Sequence, residues 1–162
     1  VVRQLISKLL ITPGSELEED RISREIIFSA MARLISYRGT CNRGGRAGAI
    51  IAKDGRVVSI GYVGSPPGQD HCLTAGCIRS EETGGCVRTQ HAEANSIAWA
   101  AREGISLKNA TMYCTLSPCL SCAKLIVMAG IREVYYLDRY RIADGIDYLQ
   151  DSGVRVLQIV LS

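Results

Sequence analysis

Between Glu18 and Ser36 apolar residues return every three to four positions, at Ile22, Ile26, Ile27, Ala30, Met31 and Leu34, which predicts an amphipathic helix ending before Gly39. The earlier run from Val1 to Ile11 is also helix-like, but Pro13-Gly14 cuts it off. Residues 1–15 are therefore read as an N-terminal appendage and 16–162 as a single domain. Two β-rich runs follow, Gly48 to Ala52 and Arg56 to Tyr62, and the Asp54-Gly55 pair between them predicts an antiparallel hairpin. Further on, a helix is expected from about His91 to Glu103, a strand from Thr111 to Thr115 and a helix from Cys119 to Ala129. A strand from Glu133 to Leu137, a helix from Gly145 to Asp151 and a strand from Val154 to Val160 complete the series, with Gly104 and Gly130 as helix stops. Elements in this order predict an α/β sandwich built on a five-stranded sheet. The stretch from Gly64 to Thr89, rich in Gly, Pro and Cys, is too long for a casual loop and needs something to hold it.

Composition narrows the partners. With 162 residues, 47% of them hydrophobic and 22% charged, the chain has enough apolar material for one core and too little charge for wholesale disorder. Its 19 basic and 16 acidic residues are scattered, and no dense Lys/Arg run tracks a nucleic-acid backbone. A small anionic ligand fits this balance better than a polynucleotide. No apolar stretch reaches the ~20 residues that cross a bilayer, and the first eleven residues lack a signal peptide's cleavage pattern. A cytoplasmic protein without a membrane partner is the expectation. Seven cysteines, an odd number, argue against a fully paired disulfide framework and make metal binding the first reading.

His91-Ala92-Glu93 and, one strand later, Pro118-Cys119-Leu120-Ser121-Cys122 together form the H-x-E…P-C-x-x-C pattern shared by zinc deaminases. One imidazole and two thiolates give zinc three ligands and leave its fourth position to water, the arrangement of a catalytic rather than a structural site. Glu93 is then free to serve as catalytic acid and base. Residues two apart on a helix point nearly opposite ways, so His91 and Glu93 meet at one metal only if His91 stands at the helix entrance. Ser117 is expected to cap the second helix, Pro118 to occupy its first turn, and both cysteines to lie where the helix dipole favours thiolates. Unrelated core residues would not reproduce both halves of the pattern. Cys114, inside a strand, is read as a core thiol.

Several further motifs surround this pair: Thr40-Cys41-Asn42-Arg43, Gly61-Tyr62-Val63-Gly64-Ser65-Pro66, His71-Cys72 with Gly76-Cys77, the extension of the histidine motif to Asn95, and Thr115 to Cys119 continuing to Lys124. On these, the sequence resembles the deoxycytidylate (dCMP) deaminase family from about Gly39 to Tyr140. The resemblance implies a cytidine deaminase-like three-layer sandwich, with a five-stranded mixed sheet flanked by helices. It also implies hydrolysis of dCMP to dUMP and ammonia, a step that feeds thymidylate synthesis. By resemblance Tyr140 packs on the pyrimidine, the Ala92 backbone contacts the base, the Ser117 carbonyl accepts from the exocyclic amine, and Arg43 and Arg46 meet the 5′-phosphate. Val63 stands where the family has asparagine, and valine cannot hydrogen-bond a sugar hydroxyl, which leaves the preferred sugar open.

Cys41, Cys72, Cys77 and Cys86 match positions where this family often places cysteine or histidine, which implies a second, structural zinc with His71 as an alternative ligand. Such a site would order the 64–89 stretch. A hexameric homo-oligomer with dCTP and dTTP as effectors is implied as well, with Trp99 as either an interface or a core residue. Two other readings stay open at this point. One is a deaminase of a modified cytosine nucleotide, guanine or tRNA adenosine, although the cysteine-bearing insertion before His91 fits neither of the last two. The other is a silent zinc domain that only binds nucleotides, against which the retained Glu93 speaks.

Overall fold

Along each strand, side chains alternate between two apolar layers, and each layer is closed by its own helices. The computed structural model describes residues 22–42, 46–82, 84–142 and 144–161; the expected appendage (residues 1–15), the beginning of the first predicted helix and Arg43 lie outside them. Strands β1 (Gly48–Lys53), β2 (Arg56–Tyr62), β3 (Thr111–Leu116), β4 (Glu133–Asp138) and β5 (Arg155–Gln158) form one sheet in the order β2-β1-β3-β4-β5. β1 pairs antiparallel with β2 and β3, whereas β3, β4 and β5 run parallel, so the sheet is mixed as expected. Asp54 and Gly55 both take positive φ, 51° and 74°, as the tight hairpin turn requires.

The helices are α1 (Arg24–Ser36), α2 (Cys72–Ala75), α3 (Ala92–Arg102), α4 (Leu120–Met128) and α5 (Asp144–Asp151). α1 covers one face, where Phe28, Met31 and Ile35 pack on Ile50, Ala52, Tyr113 and Tyr135. On the other face Ile51, Met112, Cys114 and Val134 meet Ala100, Ala123, Ile126 and Leu149 of α3, α4 and α5. Cys114 is thus a core thiol. The result is the α/β sandwich that the order of elements predicts, in the three-layer form that the resemblance implies.

The hydrophobic periodicity misplaces the inner face of α1. Ser29, Ala32 and Ser36 are the buried positions, while Ile26 and Leu34 are 44% and 38% exposed. The reason is distance: small side chains let the helix lie close on β1, and the Ser36 hydroxyl is satisfied within its own helix by donating to the Arg33 carbonyl at 2.7 Å. A pattern that counts only apolar residues does not register this. Among the described residues no helix is long and apolar enough to cross a membrane.

Candidate active site and metal centres

Two helix entrances converge beside the end of the central strand β3. The long 64–89 excursion closes on itself, because Gly64 and Gln90 exchange backbone hydrogen bonds of 3.2 and 2.9 Å. His91 therefore follows directly beside the end of β2. It is the N-cap of α3, with extended φ −67° and ψ 154° and no capping bond from its side chain. This is the entrance position that convergence with Glu93 demands. Two contacts fix the helix there: Asn95 donates to the Tyr62 carbonyl at 2.8 Å, and Gly61 lies so close under the first turn that a Cβ would meet the Ala92 carbonyl.

The second entrance departs from expectation. Cys119, not Ser117, is the N-cap of α4, again extended (φ −73°, ψ 167°) and again without a side-chain capping bond. Ser117 is occupied elsewhere. Its N–H donates to the Asp138 carbonyl at 2.9 Å and its hydroxyl accepts from the Tyr140 N–H at 2.8 Å, which joins the ends of β3 and β4. Positions that usually hold a serine or aspartate turned back on the helix here hold a histidine and a cysteine turned toward each other.

His91, Cys119 and Cys122 bring their ligand atoms within 4.8 Å of one another. His91 Nδ1 lies 3.4 Å from Cys119 Sγ and 3.5 Å from Cys122 Sγ. Tetrahedral zinc with ordinary Zn–S and Zn–N bonds requires a sulfur-to-nitrogen edge of about 3.6 Å, so the donor set fits that ion. Hydrogen bonds from Cys122 and the His91 imidazole pull the Cys119 thiol down to about 3, against its own desolvation. Cys122 moves the opposite way, because hydrogen bonding with Cys119 and burial favour its protonated form. The hydrogen bond with Cys119 raises His91 in turn.

A cavity of about 520 Å³ opens beside these ligands, and His91, Glu93, Ser117, Cys119 and Tyr140 all line it. Glu93 is only 6% exposed, and burial pushes its carboxyl up to about 7. The Tyr140 ring stands edge-on to the imidazole, with ring centroids 6.4 Å apart. Val63, Ala47 and Leu116 contribute an apolar part of the wall. Ala92 is fully buried and absent from the lining. Arg46 does not reach the cavity; its guanidinium sits over the Tyr37 ring, 4.9 Å from the centroid. Arg141, which motif reasoning passed over, does line it. The available signal was a cation directly after the motif's tyrosine.

A second cluster joins Cys72, Cys77 and Cys86, again within 4.8 Å of one another. Cys72 and Cys86 Sγ atoms are 3.5 Å apart, near the edge of about 3.8 Å that two zinc thiolates require. Burial raises Cys72 to about 11, with Cys86, Cys41 and Cys77 adding to the rise. Cys86, although burial opposes it, is drawn down to about 6 by hydrogen bonds from Cys77 and Thr89. Cys41 is near enough to act on Cys72 but is not one of the three convergent thiols, and neither is His71. The described residues thus hold two clusters able to bind a metal ion. They share a wall, since Cys86 and its neighbours Gly85, Val87 and Thr89 line the cavity.

Comparison with known proteins agrees with this geometry. The family model for the cytidine and deoxycytidylate deaminase zinc-binding region matches residues 23–138. ComE operon protein 2 of Bacillus subtilis is 38% identical over 143 residues, 88% of this chain and 74% of that protein. Deoxycytidylate deaminase of enterobacteria phage T4 is 32% identical, over 80% of this chain and 86% of its own length. The chain spans 45% of the length of each of the two yeast deoxycytidylate deaminases that it matches. Among solved structures, the dCMP deaminase of cyanophage S-TIM5 in complex with dCMP and dUMP superposes with a TM-score of 0.73 at 35% identity. That match covers 86% of this chain and all of the phage chain.

Proposed function

The chain belongs to the deoxycytidylate deaminase family, within the zinc-dependent cytidine and deoxycytidylate deaminases, and from that premise we propose that it converts dCMP and water to dUMP and ammonia. One observation carries the proposal: His91, Cys119 and Cys122 bring their ligand atoms together, and two of the three, His91 and Cys119, line a cavity that Glu93 also lines. Zinc held by these three supplies Lewis-acid activation of the attacking water at neutral pH. The protein's own groups handle the protons and the substrate. Glu93, whose carboxyl burial pushes up to about 7, takes one proton from the water and delivers it to the ring nitrogen N3, then takes the second from the hydroxyl added at C4 and passes it to the departing amino group, which leaves as ammonia. Tyr140 packs against the pyrimidine and the Ser117 carbonyl accepts from the exocyclic amine, whereas Ala92, buried behind the cavity wall, is left without the base contact that the resemblance implies. At Val63 the sugar meets a methyl-lined surface and is selected by shape rather than by a hydrogen bond.

Ammonia release measured across dCMP, dCTP, CMP, deoxycytidine, 5-substituted dCMP, guanine and a short single strand tests this reading. The highest kcat/KM is expected for dCMP. Turnover of guanine or of the strand, with dCMP untouched, would keep the chemistry and discard the substrate.

The proposal extends to one catalytic zinc at His91, Cys119 and Cys122, and one structural zinc at Cys72, Cys77 and Cys86 completed by Cys41. Because the second cluster includes Cys86, which lines the cavity with Gly85, Val87 and Thr89, Cys72→Ser is expected to lower bound zinc from two equivalents to one and to loosen that wall. The same change should raise KM for dCMP more than it lowers kcat. Metal analysis alongside steady-state kinetics checks both; one equivalent in the parent protein, unchanged by the substitution, would remove the structural zinc. The resemblance adds a homo-oligomer responsive to dCTP and dTTP, for which Trp99, 44% exposed beneath the Arg102 guanidinium, is a candidate contact residue.

A further inference from the structure

We infer that Arg141 is the residue by which the cavity recognises the phosphate of its nucleotide, a specificity role that rests on the substrate reading above. Motif resemblance places this task on Arg43 and Arg46, but Arg43 lies outside the described residues and Arg46 is stacked on Tyr37 away from the cavity. Arg141 is the one arginine or lysine among the described residues that line the cavity. It forms none of the ion pairs among the described residues, so its charge is available.

Its position suits the task. The guanidinium is 5.7 Å from the Tyr140 ring centroid, and that ring is 6.4 Å from the imidazole of His91. Tyr140 thus neighbours both the metal ligands and the cation, which lets one nucleotide place its base at the metal, its ring on the aromatic and its phosphate at the guanidinium. The backbone just before Arg141 is anchored, because the Tyr140 N–H donates to the buried Ser117 hydroxyl at 2.8 Å.

Charge balance makes such a cation necessary. Two thiolates offset a divalent zinc, and Glu93 adds no positive charge, so the deep end of the cavity offers nothing to a phosphate carrying about −1.5 to −2. An arginine fork at the other end matches phosphate in both charge and shape. Being exposed, it acts mainly on binding, and its effect weakens with salt.

The experiment compares Arg141→Gln and Arg141→Lys with the parent protein, using dCMP and deoxycytidine as substrates. Arg141→Gln is expected to lose about 10- to 100-fold in kcat/KM for dCMP, mostly through KM, and to leave deoxycytidine unchanged. Arg141→Lys should recover part of the loss. No change for dCMP, or an equal fall for both substrates, overturns the assignment. Failure of the substrate reading looks different, since the parent protein would then deaminate neither compound. Calorimetric binding of dUMP and deoxyuridine, which needs no turnover, decides on Arg141 in that case. A parent preference for dUMP that Arg141→Gln abolishes supports the role; no preference, or one that persists in the variant, overturns it.

Discussion

Glu93→Gln is expected to lower kcat on dCMP by about 10³- to 10⁴-fold while the protein still binds its full complement of zinc. The two halves of this result come from different parts of the same turn. His91, at the N-cap of α3, carries the metal ligand, whereas Glu93 lies one residue inside the helix and is not among the atoms that converge as a metal cluster. Glutamine has the shape of glutamate, so the buried position remains filled and the helix entrance is undisturbed. What disappears is the proton carrier. An amide cannot accept the proton of the attacking water, nor deliver one to N3 and then to the leaving amine. The measurement is kcat from ammonia release, with zinc counted on the same sample. A variant that keeps its metal and turns over within tenfold of the parent would move the acid–base role to another group. A variant that loses zinc would show that Glu93 supports the metal rather than the chemistry.

The residues of this machinery were largely readable in the sequence, and the supports were not. His91 and Glu93 are separated by two positions, which on a regular helix forbids convergence, and that contradiction alone placed His91 at a helix entrance. The same reasoning failed at Ser117, because a serine before Pro118 looks like a cap. Its hydroxyl is instead used by Tyr140, a residue 23 positions away whose proximity comes from the pairing of β3 and β4. α1 illustrates a similar limit: Ser29 and Ser36 face inward because small side chains let the helix lie close to the sheet, whereas periodicity ranks positions by polarity. Arg141 carries little signal in the sequence for a third reason. A cavity mouth is assembled from loops distant in sequence, and a lone charge after a motif carries no spacing by which to recognise it.

Gly145 is the support with the largest consequence. It sits in the first turn of α5 and packs directly on the turn that carries the first thiolate of the catalytic cluster. A Cβ added there would run into the Pro118 carbonyl and come within 2.8 Å of the Cys119 carbonyl carbon. The obstacle is backbone, so no rotamer change relieves it. Either α5 withdraws or the Pro118-Cys119 turn shifts, and moving that turn displaces Cys119 Sγ from its place 3.4 Å from His91 Nδ1. Ligand geometry tolerates little, and a displacement of about 1 Å can cost 10²-fold in rate. Gly145→Ala is therefore expected to weaken zinc binding at the catalytic cluster about 10- to 100-fold in a chelator competition, and to lower kcat/KM about 10²-fold. Gly153→Ala is the appropriate control. Gly153 follows the same helix with φ +78° and has open space around its Cβ position, so alanine there should cost about 1 kcal/mol of stability through backbone strain alone. Its zinc affinity should match the parent's. If both variants lose zinc in proportion to their loss of stability, the contact between α5 and the ligand turn has no special part in holding the metal. If Gly145→Ala loses zinc while remaining folded, then α5, an element with no residue in the chemistry, sets the position of Cys119.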